Sequence, residues 1–434
     1  MMKLKEFSPE ETVLELKDAI RFVNSVVLHR KKPINQIFLA LMCGEHVLIQ
    51  SRTGAAKSLL ARQVFSMFDT RDVFMVQASK EQQPDTYFGG LNIDELRQGR
   101  IVHNTAGSLV ESDFGFIDEI FDANDYTLRS LLTTLNERML ILGIQRLPAR
   151  IHSVIAATNY LRINEVTEAV LDRFLFKSVF LPEQDIPGSF EVSRVYREHQ
   201  GSVAVPQSPI PFQHLKRLST IVHGLDEQYS IEVPDDVLFF ANSVVRLYET
   251  RYNRYLQENP RADGMRNETY ISPRTRAKAV DVLRAIALLN GHTKVEREDV
   301  GQLWYYFTTV GMREQEDLFV KCHTQTYQQF TATHAFDQID MMIGIMDLIA
   351  MLKNDRSLLS VPITSLEKIP MKRSLMEWAK EKFGLADPGV EYNHRLLDGY
   401  IRSISPATEE LQELKSHLER DVMKLFKDDG TVLQ

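Results

Sequence analysis

The chain has little of what marks several protein classes. It holds two cysteines, Cys43 and Cys322, in 434 residues. That is too few, and too widely spaced, for a disulfide framework or a cysteine metal site, so a reducing, cytoplasmic setting is expected. No apolar run is long enough to cross a bilayer. The stretch Met1–Phe7 lacks the apolar core of a secretory leader. There is no block of Lys or Arg, and the formal net charge is −8. That balance argues against a surface that coats nucleic acid. What is present is 44% hydrophobic residues, enough to bury large cores, over a length that suits two or three domains.

Glycine is also missing where one motif would want it. An apolar run, His46–Ile49, reads as a buried strand, and Leu59–Phe65 has helical spacing. Between them lies Gln50-Ser51-Arg52-Thr53-Gly54-Ala55-Ala56-Lys57-Ser58. Strand, tight loop, Lys-Ser, helix is the layout of a phosphate-binding P-loop. The helix N-terminus offers backbone N–H groups and partial positive charge. Lys57 adds a full charge for the β- and γ-phosphates, and Ser58 a hydroxyl for Mg²⁺. The strict pattern is Gly-x-x-x-x-Gly-Lys-Ser/Thr. Ser51 stands at its first glycine, where φ > 0 is often needed, and Ala56 at its second. Ala56 fits if its φ is negative, as at a helix start. An ordinary strand–turn–helix with a surface lysine would share this local pattern, so the rest of the chain must decide.

Four more strands are expected: Asp72–Gln77, Phe114–Asp118, Ser153–Asn159 and Phe176–Leu181. The third strand ends on Asp118-Glu119. Near a nucleotide, Asp118 can hold Mg²⁺ and Glu119 can polarise an attacking water. Asn159 ends another strand at the same level, within reach of a γ-phosphate or the lytic water. Arg173 is expected at a helix end on the flank, where it either pairs with Asp172 or water, or reaches the γ-phosphate of a neighbouring subunit. Two segments read as β-hairpin inserts, Leu91–His103 and Glu137–Arg146 turning near Gly143. Pro182–Gly188 marks a boundary, and helices dominate beyond it. Ser272-Pro273-Arg274 opens a helix to Asn290, with Arg274 in its first turn. A long apolar-periodic segment runs from Phe319 to Leu352, followed by a turn-rich piece to Pro370. Glu409–Phe426 is a charged amphipathic helix, by default a brace on its own chain.

Gly44–Ile49, the Ala-Lys-Ser of the loop, Phe88-Gly89, Phe116–Ile120, Leu131–Arg138 and Ala156–Asn159 together resemble the MoxR family of AAA+ ATPases, in its RavA-like branch. The resemblance implies an α/β P-loop core over 1–184, with a five-stranded parallel sheet between helices and two hairpin inserts. An all-α lid over 185–310 and a mainly helical extension over 311–434 would follow. It implies ATP and Mg²⁺ held by the loop from Ser51 to Leu59. Lys57 and Ser58 take the Walker A roles, and Asp118 and Glu119 the Walker B roles. Asn159 matches sensor 1, Arg173 the arginine finger and Arg274 sensor 2. It further implies hexameric rings, inserts facing a central pore, and chaperone work on protein partners, often with a von Willebrand A domain. Two other readings share these motifs: a nucleic-acid motor, and a nucleotide-stabilised scaffold with little turnover. Arg97 and Arg100 sit beside Asp94 and Glu95, so the first insert has no basic tip, which disfavours the motor.

Overall fold

The computed structural model describes residues 6–70, 72–142, 145–160, 170–181, 185–199, 203–204, 206, 208–259, 269–363 and 390–427. They divide into two compact units: Met1–Val233 with Leu247–Val320, and Pro234–Arg246 with Lys321–Gln434.

The first unit begins with α1 (Pro9–Val26), which starts where the sequence says it should. The Ser8 hydroxyl caps the Glu11 N–H, Pro9 sits at the first position and Glu10 and Glu11 face the positive end. Helix α2 (Lys31–Met42) leads to β1 (Val47–Ser51), followed by α3 (Lys57–Phe65), β2 (Val73–Gln77), β3 (Phe114–Asp118) and α4 (Asp125–Glu137). Then come β4 (Met139–Leu142), β5 (Gln145–Pro148), β6 (Ser153–Thr158), β7 (Phe176–Phe180), α5 (Ile186–His199) and α6 (Phe212–Val222). An edge strand, β8 (Thr309–Val310), completes the main sheet. The order across that sheet is β8-β7-β1-β6-β3-β2, with every pairing parallel. Every residue of β6 is buried, as a central parallel strand covered on both faces requires. On one face, Leu128, Leu131, Leu132 and Leu135 of α4 join Ile117, Val154 and Ala156 of the strands. The other face includes Phe65 of α3, stacked on Phe114 at 4.8 Å between ring centres.

The five expected strands all form, and the sixth, β8, was not expected. Its two residues pair with Lys177 and Ser178 at the edge of β7. Gly311 then passes so close that a Cβ there would lie 2.2 Å from the Val179 carbonyl oxygen, at φ +102°. Two residues carry no readable periodicity, so only the approach of the chain to the sheet edge creates this strand.

The first insert is corrected. It is not a β-hairpin: Leu91 and His103 make a single antiparallel bridge, and Ile93–Arg97 is a short helix. The Asn92 side chain accepts from the N–H groups of Asp94 and Glu95, and these acids occupy the first turn. Capping and charge favour a helical turn, whereas a lone two-stranded ribbon without a face to bury is marginal. The second insert is a hairpin, β4 against β5 from Met139–Pro148 to Leu142–Gln145. Its expected turn, at 143–144, lies outside the described residues. The Gln145 amide accepts from the His103 N–H at 2.8 Å and donates to its carbonyl at 3.2 Å, so the two inserts brace one another.

Helix α7 (Asp235–Glu258) runs across the division between the units. Helix α8 (Pro273–Asn290) begins at a Ser272 cap and ends at Gly291 in the left-handed region, as expected. The apolar-periodic segment from Phe319 to Leu352 falls in two helices: α9 (Arg313–Ala332) and α10 (Ala335–Asn354). They are broken at His334, φ +54°. In the second unit α10 and α11 (Val390–Ser403) both pack against α12 (Glu409–Lys427), and Ile345, Leu348, Leu397, Ile401, Leu418 and Val422 of these helices are buried. Lys353 and Asp421 pair at 2.8 Å between α10 and α12. The expectations at 182–184 and 364–370 fall outside the described residues.

Candidate functional site

Three neighbouring strands, β1, β6 and β3, finish at one edge of the sheet. Each runs into a polar segment there: β1 into the loop to Lys57, β6 into Asn159, and β3 into Asp118-Glu119. Parallel strands end side by side, so residues 102 positions apart meet. The Lys57 ammonium donates to Asn159 Oδ1 at 2.7 Å and to Glu119 Oε1 at 3.2 Å. It also lies 3.4 Å from Asp118 Oδ1. The Lys57 side chain is 6% exposed and that of Glu119 11%. Glu119 Oε2 accepts from the Asn159 backbone N–H at 2.9 Å, which fixes the carboxylate's second oxygen. An ammonium so placed balances two partly buried carboxylates that would otherwise repel.

Two backbones at this site are strained. Ala56 has φ +62° and Glu119 φ +52°, both left-handed and neither glycine. This reverses one expectation about the loop. Ala56 was acceptable on the condition of a negative φ, and it does not meet that condition. Ser51, where glycine was missed, is the last residue of β1 and pairs with Phe180 in extended register. The demand for glycine-like freedom falls on Ala56. Left-handed non-glycine residues persist where surrounding structure over-determines them, as at functional sites.

The remaining predicted residues are placed as follows. Arg52, Thr53 and Gly54 are exposed, while Ser58 and Leu59 are partly buried in the first turn of α3. Arg173 is helical and partly buried, the last helical residue before β7. Arg274 is exposed in the first turn of α8, and the described residues show no contact between it and the cluster. One turn further along α8, Lys278 pairs with Glu45 at 2.5 Å, at the opposite end of β1 from the loop.

Sequence reasoning missed the rest of the cleft. Beside the loop lies a cavity of about 430 Å³, lined by Gly54, Ala55, Ala56 and Leu59 and by Val26, Val27, Leu28 and Arg30. Val192, Val195 and Tyr196 of α5 close it. An apolar cavity bordering a P-loop suits a flat base and sugar. No local signal marks the lining residues outside the loop, because they come from the end of α1, the α1–α2 link and from beyond the expected domain boundary.

The sheet order, with the P-loop between its first strand and a flanking helix, defines an α/β AAA+ core carrying a mainly helical remainder. A candidate ATPase crystallised from Cytophaga hutchinsonii shares that fold, with a TM-score of 0.55 and 18% identity over 73% of this chain and 96% of that one. Residues 14–185 match the family described as the MoxR domain in the MoxR-vWA-beta-propeller ternary systems. Two uncharacterized proteins of Methanocaldococcus jannaschii are similar. One is 26% identical over 66% of this chain and 68% of its own, the other 25% over 77% and 81%. A structural protein of Acidianus two-tailed virus is 24% identical over 84% of this chain and 60% of its own. Together these matches show the AAA+ fold of the core and a resemblance to a MoxR domain over residues 14–185.

Proposed function

We propose that the chain hydrolyses ATP as a MoxR-type, RavA-like AAA+ protein, forming hexameric rings that remodel or activate partner proteins in the cytoplasm. The carrying observation is the Lys57 ammonium within 3.4 Å of Asp118, Glu119 and Asn159 at the mouth of the cleft. The core over 1–184 grips the nucleotide, 185–310 acts as a lid, and 311–434 extends it.

A metal fits this site if it arrives with phosphate. Among the described residues no group of three His, Cys, Asp or Glu could hold one alone. Mg²⁺ typically takes one or two carboxylates and fills its shell with phosphate and water oxygens. Ser58 and Asp118 would hold it, and it would supply charge neutralisation at the β- and γ-phosphates. Lys57 then turns from the acids to the phosphates. Glu119, one oxygen anchored by the Asn159 N–H, keeps the other for orienting and polarising the attacking water. Asn159 reads the γ-phosphate. Arg173 acts on the site of a neighbouring subunit and Arg274 as sensor 2.

The match to a MoxR domain of MoxR-vWA systems supports a von Willebrand A-domain partner. The first insert supports a protein client over nucleic acid, because Arg100 pairs with Glu95 at 2.6 Å and Arg97 with Asp94 at 3.6 Å. No helix among the described residues is long and apolar enough to cross a membrane.

The test is a steady-state ATPase assay with nucleotide-binding controls. Lys57→Ala should lose binding, whereas Glu119→Gln should bind ATP without cleaving it. Arg173→Ala should bind but not hydrolyse, with partial rescue on mixing with Glu119→Gln protomers. Equal turnover in wild type and Glu119→Gln would overturn the catalytic assignment.

A further inference from the structure

At the end of β1 remote from the P-loop lies a second cavity of about 430 Å³. We propose that it binds an oxyanion, carried by a small phosphorylated or carboxylated molecule. Arg138, Lys216, Ser219, His223 and the backbone at Gly44 lie in its wall.

Arg138 is the reason. Its side chain is partly buried in the cavity wall, and desolvation there pulls its pKa below the usual guanidinium value. It donates to the carbonyls of Ile151, at 2.5 Å, and Gly44, and makes no ion pair among the described residues. Glu45, the acid whose charge it feels, is committed to Lys278 at 2.5 Å. A partly desolvated cation held only by neutral carbonyls lacks a countercharge, and a guanidinium has five N–H donors to offer. An anion in the cavity would supply the missing countercharge.

The surroundings are built for small polar occupants. Gly44 has φ +62°, and a Cβ there would come 3.1 Å from Ser219 Oγ and 3.9 Å from His223 Cε1. Its hydrogen keeps the floor open beneath a hydroxyl and an imidazole, which face each other at 3.4 Å. Lys216 is exposed on α6 and makes no ion pair among the described residues. His152 is neutral there, since burial lowers its pKa to about 4. Arg150 also lines the cavity but already holds Asp72 at 2.8 Å and Asp113 at 3.0 Å, so it contributes little net charge.

The experiment titrates inorganic phosphate, and separately citrate, into the full chain carrying Lys57→Ala, which removes the P-loop as an anion site. Ionic strength is held constant with chloride, and the readouts are thermal midpoint and calorimetric heat. A parallel titration uses wild-type protein saturated with ADP, so a folding defect in Lys57→Ala leaves the test intact. Saturable binding is expected, weakened at least about fivefold by Lys216→Ala and recovered by Lys216→Arg, roughly one kcal/mol in binding terms. Ser219→Ala should weaken it less. A response to phosphate alone assigns a phosphorylated ligand, and a response to citrate alone a carboxylated one. No effect beyond chloride, or identical titrations in wild type and Lys216→Ala, would overturn the proposal.

Discussion

Ala56→Gly restores the glycine that the loop lacks, and the structure gives the size of the effect. The alanine is held at φ +62° just before α3. A left-handed L-residue costs roughly 1–2 kcal/mol, which glycine avoids. Glycine in turn loses about 0.5–1 kcal/mol more conformational entropy on folding. The methyl group is exposed, so its removal leaves no cavity. The balance is a gain of about 0.5–1 kcal/mol. Ala55 is the matched control: it is one residue away and not at positive φ, so Ala55→Gly has only the entropic penalty. Urea and thermal unfolding of the two variants, compared with wild type, should therefore move in opposite directions. In a chain of this size the thermal shift is small, about 1–2 °C, so the opposite signs matter more than the magnitudes. If Ala56→Gly destabilises as much as Ala55→Gly, the strain argument is wrong, and with it the account of why the loop tolerates Ser51.

Three further outcomes rest on the geometry. Val27→Trp should fill the apolar cavity beside the loop and raise KM for ATP by about tenfold or more while kcat changes little; an unchanged KM would remove the base from that cavity. His152 and His46 fold neutral, with His152 lowered from 6.5 to about 4 by burial and His46 moved the same way. Above pH 6.5 neither affects stability; as pH falls toward 4 the unfolded state takes up protons that the folded state refuses, so stability drops, by ~3 kcal/mol from His152 once both states are protonated. Urea midpoints at pH 7 and pH 5 should therefore differ less in His152→Asn than in wild type, and an equal difference would refute the linkage. Gly89→Ala places a Cβ 1.9 Å from the Asn104 carbonyl oxygen at φ +93°, a backbone-on-backbone clash. It should destabilise by about 2–4 kcal/mol and expose residues 91–103 to limited proteolysis; unchanged protection would count against the observed insert geometry.

Much of the core was legible because its signals are local. The apolar run before the P-loop, the leucine stripe of α4 and the Ser-Pro-Glu-Glu start of α1 each specify an element within a dozen residues. The first insert misled for the same reason: Leu91–Ile93 and Ile101–His103 look like strands, but the Asn92 cap and the acids behind it govern the backbone between them. The break at His334 was hidden inside an unbroken apolar period, since periodicity reports a buried face and not whether the helix beneath it is continuous. Arg274 was placed from its position in the first turn of a helix and from the family resemblance, and the structure finds it exposed in that first turn.

The sequence by itself determined the alternation of buried strands and flanking helices, the lysine at a helix start, and the acids at a strand end. These arise from hydrophobic period and from the chemistry a helix terminus offers. Tertiary structure alone decided that Lys57, Asp118, Glu119 and Asn159 touch, since that depends on β6 lying between β1 and β3. It also decided that the apolar cavity takes its walls from α1's end and α5, and that the partly buried Arg138 pairs with backbone carbonyls rather than a carboxylate. Strand order and burial are properties of the whole sheet, and no window of neighbouring residues contains them.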